Sequence, residues 1–220
     1  MGSLFWPAVP RPLCPQTFTL MCREPYIYTI DDFLSEKELS HFDTMVVTEK
    51  DAFKDSLVDG DMDLSNGLRK DQRSSSTLSF TTNQDSTITS LTRKLASLLT
   101  CEPSQVEPLQ VVRYFPKQAY GLHHDLGEVD EDGRVILPGT HDGCKRRLVT
   151  IFIYLNELEK DAGGCTHFPS SGLRVIPKRG MAVVWSNINK QLRPDSRTIH
   201  EGEPVTSGTK YGLNAWIMES

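Results

Sequence analysis

The chain has 220 residues, 38% of them hydrophobic and 24% charged, and a formal net charge of −5 at pH 7. This length and composition are ordinary for a soluble globular protein and suffice for one domain with a sizeable core. The negative charge argues against a nucleic-acid partner, which needs a clustered basic surface, and no apolar run is long enough to form a membrane segment.

The cysteines favour a reducing compartment. None of them forms a C-x-x-C pair, which argues against a cysteine-based zinc site, and we interpret them as free thiols. A bridge between Cys144 and Cys165 stays open, because a sequence does not give connectivity. Prolines in the first 15 residues interrupt any signal-peptide core. The compartment is therefore undecided: a soluble cytoplasmic protein is slightly favoured, and the secretory pathway (ER) is the alternative if the sequence is a piece of a longer chain. The cysteines are Cys14, Cys22, Cys101, Cys144 and Cys165.

The N-terminal part of the chain is predicted to hold an arm and then the first elements of a single domain. Residues 1–23 are proline-rich and weakly periodic, which indicates an extended arm. Residues 24–220 show no internal repeat and no second domain. Within them, residues 26–30 alternate and are rich in aromatic and β-branched side chains, which predicts a strand, and residues 73–80 are typical of a second one.

Two amphipathic helices are predicted before the β-rich part of the chain. Ser35 is followed three residues later by Glu38, a capping box that predicts a helix over residues 36–48. A second helix is predicted from about residue 85 to residue 99, because its apolar side chains recur with helical spacing. These apolar side chains are Ile88, Leu91, Leu95 and Leu98.

Two polar segments are predicted as loops. Residues 49–72 are acidic and weakly patterned, so a solvated loop is the default interpretation and a mobile lid is the alternative. Residues 128–132 form an acidic run in a second loop, which we also interpret as solvated surface.

The second half of the chain is predicted to be all β. Short apolar runs alternate with turns rich in glycine, proline, asparagine and aspartate. Helices first and many short strands after them predict an α+β fold: a double-stranded β-helix (jelly roll) core with supporting N-terminal helices. The predicted strands cover residues 109–115, 147–155, 173–176, 181–186, 197–200 and 210–218.

One stretch in this half carries metal-ligand chemistry. Residues 109–125 read LQVVRYFPKQAYGLHHD, a β-rich run that ends in an H-x-D pair. Strand side chains alternate, so His123 and Asp125 should point to one face and His124 away from it. A third ligand would complete a 2-His-1-carboxylate triad, which suits a non-haem Fe(II) and leaves positions open. His200 is the candidate, because it lies near the end of another predicted strand.

A candidate anion site accompanies the third ligand. Lys210 follows His200 by ten residues, with a turn between them. Two antiparallel strands here could place both side chains inside one barrel. A buried lysine needs a partner anion to keep its charge, and a dicarboxylate co-substrate is such a partner. A surface lysine is the ordinary alternative.

With these features in place, the sequence resembles the catalytic domain of prolyl 4-hydroxylases in the Fe(II)/2-oxoglutarate dioxygenase superfamily. The resemblance covers roughly residues 25–218 and is specific because several separate motifs occur in one order. In chain order the motifs are RSSS at 73–76, LQVVRY at 109–114, Tyr120 with H-x-D at 123–125, RLVT at 147–150, YLN at 154–156, GGCTHFP at 163–169, PKRG at 177–180 with Trp185, and H-x-x-x-P-V-x-x-G-x-K at 200–210, closing on Trp216.

The resemblance implies a role for each matched position. It implies hydroxylation of a prolyl residue to 4-hydroxyproline in a procollagen-type or other peptide or protein, with Fe(II), 2-oxoglutarate, O2 and L-ascorbate as cofactors and succinate and CO2 as products. It also implies that the loops at 49–72 and 126–146 close over the substrate. The implied iron ligands and catalytic residues are His123, Asp125 and His200; the implied 2-oxoglutarate residues are Lys210, Tyr114, Thr166, Thr150 and Tyr154; and the implied peptide-facing residues are Arg147 and Trp216.

The sequence departs from the family pattern at two positions and leaves alternative functions open. The usual Gly-Gly-Glu-Thr has Cys165 in place of glutamate, and the usual Gly-Gln reads Lys117-Gln118, which leaves substrate preference open. A free amino acid, a lysyl side chain or a small metabolite are alternative substrates, and a non-catalytic metal-binding interaction domain is an alternative of another class. Core packing is the alternative interpretation of the aromatic and threonine positions. The oligomeric state is open.

Overall fold

The computed structural model describes residues 17–56, 73–137 and 145–220. In these ranges the chain forms two α-helices, α1 (Glu36–Thr48) and α2 (Ser86–Leu98), and fourteen strands. In chain order the strands are β1 (Phe18–Arg23), β2 (Tyr26–Ile30), β3 (Lys54–Asp55), β4 (Ser76–Ser79), β5 (Gln110–Tyr114), β6 (Tyr120–His123), β7 (Glu128–Val129), β8 (Val135–Ile136), β9 (Arg147–Tyr154), β10 (Thr166–Phe168), β11 (Leu173–Val175), β12 (Ala182–Ser186), β13 (His200–Gly202) and β14 (Lys210–Met218).

Two antiparallel sheets form the body of the fold. The major sheet has eight strands in the order β1-β2-β12-β9-β14-β5-β4-β3, and the minor sheet has four in the order β11-β10-β13-β6. A separate hairpin joins β7 to β8. The two sheets and two helices are the α+β double-stranded β-helix arrangement that the sequence predicts.

The core has two layers, one on each face of the major sheet. Helices α1 and α2 pack on one face through buried apolar side chains such as Phe42, Ile88 and Leu91, which contact inward residues of the strands. The other face meets the minor sheet through a smaller aromatic cluster that includes Trp185 and Phe168, whose rings lie 5.2 Å apart. The candidate site lies in this second layer, between the sheets.

The predicted helices are confirmed with their ends. Ser35 caps α1: its hydroxyl accepts from the Glu38 N–H, and the Glu38 carboxylate accepts from the Ser35 N–H, so the capping box is formed. Asp85, predicted as the start of the second helix, is the N-cap of α2, since its carboxylate accepts from two backbone N–H groups of the first turn. Local capping chemistry therefore fixed both helix starts.

One predicted strand is misplaced, and several short strands have no sequence signal. Residues 196–198, which overlap the strand predicted at 197–200, form a 3-10 turn capped by Asp195, and the strand begins only at His200. Strands β6 and β10 have four and three residues, too few for a periodic pattern to emerge.

The arm and both loops predicted from sequence are only partly described. Residues 18–23 form edge strand β1, while residues 1–16, 57–72 and 138–144 lie outside the described residues, so the division into an arm and one domain stays a prediction. The described ends of the two loops carry β3 and the β7–β8 hairpin. In the described ranges, neither helix has the length and apolar character of a membrane span.

Candidate metal centre

The two candidate histidine ligands lie on adjacent strands of the minor sheet. His123 ends β6 and is the register partner of His200, which begins β13. Their rings lie 4.2 Å apart. The Nδ1–H of His123 donates to the Gly121 carbonyl at 2.8 Å, and the Nδ1–H of His200 donates to the Thr198 carbonyl at 3.0 Å. These bonds fix the tautomers, so both Nε2 lone pairs are available to a metal ion.

Asp125 supplies the carboxylate beside the two imidazoles. Its oxygens lie 3.8 Å from His123 Nε2 and 3.9 Å from His200 Nε2, and the ligand atoms of all three residues lie within 4.8 Å of one another. The Thr150 hydroxyl donates to Asp125 Oδ2 at 2.6 Å, and the Asn187 amide donates to the Thr150 hydroxyl at 2.9 Å. This chain of hydrogen bonds aims the carboxylate at the histidines.

Electrostatics hold His123 and Asp125 in the protonation states that a metal needs. Burial lowers the pKa of His123 well below its usual range, and the neighbouring His200 lowers it further, so the ring is neutral at pH 7. For Asp125, burial would raise the pKa, but His200, His123 and the Thr150 hydrogen bond lower it to about 2. Two neutral imidazoles and one carboxylate form the donor set that non-haem Fe(II) prefers, so the residues fit this ion.

His124 points away from this centre, as strand alternation predicts. The Leu126 N–H donates to His124 Nδ1 at 3.1 Å, so the proton sits on Nε2, which donates to the Asp195 carbonyl at 3.2 Å and the Thr198 hydroxyl at 3.1 Å. Burial lowers the pKa of His124 to about 4, so it is neutral at pH 7. His124 therefore ties the turn that carries Asp125 to the segment before His200.

Lys210 is a buried cation on the opposite wall of the cavity. It begins β14 in the major sheet and is 2% exposed. Its Nζ lies 5.2–5.5 Å from the ring centroids of Tyr114, Phe152 and Tyr154, and within the described residues no carboxylate comes within 4.0 Å of it. Burial lowers the pKa of Lys210 to about 8. A buried ammonium among rings is a cradle for an anion.

The other residues predicted to contact 2-oxoglutarate lie at different depths. Tyr114 and Thr166 line the same cavity as Lys210, and so does Thr150, although the Thr150 hydroxyl is already donated to Asp125. Tyr154 does not line the cavity: it is fully buried behind Thr166, and the two hydroxyls lie 2.7 Å apart. Tyr154 therefore supports the position of Thr166.

Arg147 and Trp216, the residues predicted to face a peptide, form one rigid unit. The Arg147 guanidinium lies 3.9 Å from the centroid of the Trp216 ring, a cation–π contact. Two of its nitrogens donate to the Glu107 carboxylate at 2.8 Å each. Both side chains line the cavity next to Thr150, which is the register partner of Trp216.

One cavity of about 590 Å³ lies between the sheets, and it is lined by the triad, Lys210, Tyr114, Thr150, Thr166, Arg147 and Trp216. It extends from the triad across the inner face of the major sheet to Lys54 at its β3 edge.

The remaining described histidines lie outside the cavity. His41 pairs with Asp85 at 3.2 Å, and His167 lies beside Glu201 and Glu203, where Arg174 already bonds Glu203. His141 and Cys144 lie outside the described residues, while Cys22, Cys101 and Cys165 are free thiols.

Two residues of the site carry no sequence signal that would have identified them. Asn187 follows β12 and is fully buried, yet its role depends on Thr150, a residue 37 positions away. Glu107 precedes β5 and contacts Arg147 at 40 positions' separation. Both act by hydrogen bonding across the fold, which no local pattern encodes.

Comparison with known proteins agrees with an Fe(II) site of this geometry. Residues 109–218 match the family model described as the 2OG-Fe(II) oxygenase superfamily. The chain is 26% identical over 221 residues to a probable prolyl 4-hydroxylase 7 of Arabidopsis thaliana, covering 92% of this chain and 66% of that one. It is 33% identical over 132 residues to the prolyl 4-hydroxylase subunit alpha-1 of Gallus gallus, covering 60% of this chain and 24% of the subunit.

The fold has a solved counterpart as well. The viral collagen prolyl hydroxylase of Paramecium Bursaria Chlorella virus-1, crystallised as its 2OG complex, superposes with a TM-score of 0.67 and 26% identity. The alignment covers 91% of this chain and 99% of the viral one. The likeness therefore extends over the whole two-sheet architecture, beyond the segment that holds the metal triad.

Proposed function

The chain belongs to the 2OG-Fe(II) oxygenase superfamily, and from that premise we propose that it hydroxylates a prolyl residue of a peptide or protein to 4-hydroxyproline. The co-substrates are 2-oxoglutarate and O2, and the co-products are succinate and CO2. The observation that carries the proposal is the shared cavity: the 2-His-1-carboxylate set lines one wall, and the buried Lys210 lines the other. The prolyl substrate is supported by the relatives, which are prolyl hydroxylases by name.

His123, Asp125 and His200 are the proposed Fe(II) ligands and catalytic residues. When bound, Fe(II) with 2-oxoglutarate and O2 supplies the oxidising chemistry that hydroxylates an unactivated C–H bond. The protein holds the donor atoms in place: carbonyls orient both imidazoles, and Thr150, backed by Asn187, orients the carboxylate. Such outer hydrogen bonds keep the ligands in one geometry before the metal arrives.

Lys210 is proposed to bind the distal carboxylate of 2-oxoglutarate. The surrounding aromatic rings exclude water, so the ammonium and the carboxylate would meet at low dielectric, where their attraction is strong. Tyr114 and Thr166 add hydrogen-bond donors beside Lys210, and Tyr154 contributes by holding the Thr166 hydroxyl. Thr150 is proposed to act mainly through Asp125 and not through the co-substrate.

Arg147 and Trp216 are proposed to bind the peptide substrate at the triad side of the cavity. The indole offers a flat apolar surface for a pyrrolidine ring, and Arg147 with Glu107 keeps that surface in one orientation. The cavity extends away from the triad over several strands, a shape that suits a peptide better than a small metabolite. We also expect L-ascorbate to sustain turnover, since iron oxidised in cycles without substrate needs a one-electron reductant.

The test is mass spectrometry of a library of proline-containing peptides after incubation with Fe(II), 2-oxoglutarate, O2 and ascorbate. We expect a gain of one oxygen atom on proline and stoichiometric succinate. The variant His200→Ala should produce neither, and His41→Ala, outside the cavity, should match the wild type. Succinate formation without any oxidised proline peptide would exclude the prolyl substrate. Equal succinate from the wild type and His200→Ala would exclude the iron assignment.

A further inference from the structure

A rigid turn follows β12 and lies outside the cavity. The side-chain oxygen of Asn189 accepts the backbone N–H of Gln191 at 2.9 Å and that of Arg193 at 3.2 Å. The Asn189 N–H donates in turn to the Arg193 carbonyl at 2.8 Å. An asparagine that bonds the backbone two and four residues on holds a turn in one conformation. The side chains at the tip of this turn therefore stand in fixed positions.

The tip of the turn presents a leucine between two cations. Leu192 is 55% exposed and adopts a φ of 59°, a left-handed conformation that is uncommon for residues other than glycine, asparagine and aspartate. Lys190, two residues before it, and Arg193, the next residue, are exposed as well. The turn therefore displays an apolar side chain flanked by positive charge.

Arg146 joins the turn to the start of β9. Its guanidinium donates to the Leu192 carbonyl at 3.1 Å and, through two other nitrogens, to the Glu219 carboxylate at 2.9 and 2.6 Å. The bond from Arg146 holds the pKa of Glu219 below its usual range, and the charge of Lys145 lowers it further. The turn and residues 145–146 therefore form one surface. We call this surface the basic rim, and it consists of Lys145, Arg146, Lys190, Leu192 and Arg193.

Three cations of the basic rim have no acidic partner in the part of the chain that the structure describes. No carboxylate there lies within 4.0 Å of the side-chain nitrogens of Lys145, Lys190 or Arg193. Glu219 is bonded by Arg146, so the rim keeps an excess of positive charge in a chain whose net charge is −5. Exposed charge of one sign attracts a partner of the opposite sign and orients it on approach.

The basic rim lies near the triad end of the cavity but outside it. Arg147, the residue after Arg146, lines the cavity against Trp216. The amide of Asn187, at the base of the turn, donates to the Arg147 carbonyl at 3.0 Å and to the Thr150 hydroxyl at 2.9 Å. The rim is therefore fixed to the residues that line the cavity near the triad, and a polypeptide that leaves the cavity on this side meets it.

The charge of the whole chain favours one class of partner. Nucleic acids and anionic membranes extend far beyond a patch of this size, so they would also face the rest of the surface, which is acidic and repels them. A short acidic segment of a polypeptide meets the rim alone. Leu192 offers an apolar contact that carboxylates cannot use, which favours a segment in which acidic residues surround an apolar one.

We propose that the basic rim is a docking surface for an acidic segment of the protein substrate, with an apolar residue of that segment on Leu192. The proposal rests on the proposed prolyl hydroxylation, because the same substrate places its prolyl residue at the triad. Docking at the rim raises the local concentration of the reactive segment, so it lowers the KM without changing the chemistry. The rim therefore selects substrates by a sequence feature outside the reactive site.

Docking is measured first by itself, without catalysis. The probe is a fluorescein-labelled peptide of aspartate and glutamate around one leucine, and its control peptide carries asparagine and glutamine instead. Lys190→Gln/Arg193→Gln removes two rim charges, and Lys50→Gln/Arg93→Gln removes the same residue types at exposed positions outside the rim. In anisotropy with the Fe(II)- and 2-oxoglutarate-loaded protein under argon, we expect the rim variant to raise the Kd of the acidic peptide about three- to tenfold, the range for two exposed ion pairs. The control variant should match the wild type.

The rim is then tested in catalysis. The best proline-containing peptide of the library is extended by a flexible linker and by either the acidic or the amide segment. We expect the acidic extension to lower the KM for the wild type and the control variant but not for the rim variant, with kcat unchanged throughout.

Three results would each overturn the docking surface: an equal Kd for the acidic and the amide peptide, an equal Kd in the rim variant and the wild type, or an acidic extension that leaves the KM unchanged. Tighter rim-dependent binding of a DNA oligonucleotide or of phosphatidylserine vesicles would overturn it in favour of another partner. Rim-dependent binding of the acidic peptide without hydroxylation of any proline peptide would support the docking surface and overturn the proposed function alone.

Discussion

Replacing Lys210 by Met should stabilise the protein and at the same time strongly weaken 2-oxoglutarate binding. Lys210 is 2% exposed, and burial lowers its pKa from 10.5 to about 8. Each pKa unit corresponds to about 1.4 kcal/mol, so the charged form carries a penalty of about 3 kcal/mol at pH 7. Methionine has a similar length and no charge, and it packs well among aromatic rings. We therefore expect Lys210→Met to raise the free energy of unfolding at pH 7 by about 2–3 kcal/mol.

The difference in unfolding free energy between Lys210→Met and the wild type should depend on pH. The pKa of Lys210 is lower in the folded than in the unfolded protein, so the unfolded state holds the proton more tightly. The penalty is fully present below about pH 8 and disappears as the pH rises towards 10.5. The stability difference between Lys210→Met and the wild type should therefore shrink over that interval, in urea unfolding followed by tryptophan fluorescence.

Although Lys210→Met should stabilise the fold, it should weaken the binding of 2-oxoglutarate. Without the ammonium, the distal carboxylate of 2-oxoglutarate would be buried among rings with no cation, which costs about 3–5 kcal/mol for a buried pair. Calorimetric titration of 2-oxoglutarate into the Fe(II)-loaded protein under argon should show a Kd at least about 100-fold higher. Lys50→Met, at an exposed position, is the control. A less stable Lys210→Met, or an unchanged Kd, would refute the reasoning, since Lys210 would then be structural.

Three further predictions concern the metal centre and its co-substrate. Thr150→Val removes the hydroxyl that donates to Asp125, so Fe(II) affinity should fall about 10–100-fold in a fluorescence titration, and Thr150→Ser should restore it; equal affinities would contradict the role. His124→Ala should lower the free energy of unfolding by about 2–3 kcal/mol, because it removes buried hydrogen bonds, but it should still bind Fe(II). His123→Ala should lose Fe(II) binding and keep most of the stability of the wild type. The Kd for 2-oxoglutarate should rise above about pH 8 as Lys210 loses its proton, but stay flat in Lys210→Arg; a flat wild-type profile would contradict this assignment.

The sequence was most informative where chemistry is local. The capping box of Ser35 and Glu38 predicts the start of α1, and the alternation inside residues 123–125 separates His124 from its two neighbours. These outcomes depend on contacts within a few residues, which patterns of period two or 3.6 describe well.

The sequence was less informative where the geometry depends on sheet order. His200 and Lys210 are ten residues apart, yet they lie in different sheets: β13 pairs with β6 and β10, and β14 pairs with β5 and β9. The 3-10 turn before His200 depends on the Asp195 cap and on His124, 71 residues upstream. The alignment of Asn214, Gln110 and Ser79 on neighbouring strands is another feature that follows only from the strand register.

The hydrogen bonds of His124 bear on how the protein handles its metal over time. They join the Asp125 turn to the residues before His200 through protein groups alone, and the carbonyl bonds of the two imidazoles are likewise independent of the ion. In a zinc finger the metal supplies the folding free energy, and chelation unfolds the chain. Here chelation should leave a folded apoprotein that regains Fe(II) without refolding. The protein could therefore be stripped of an inactive metal such as zinc and reconstituted, so its activity would follow the supply of ferrous iron reversibly.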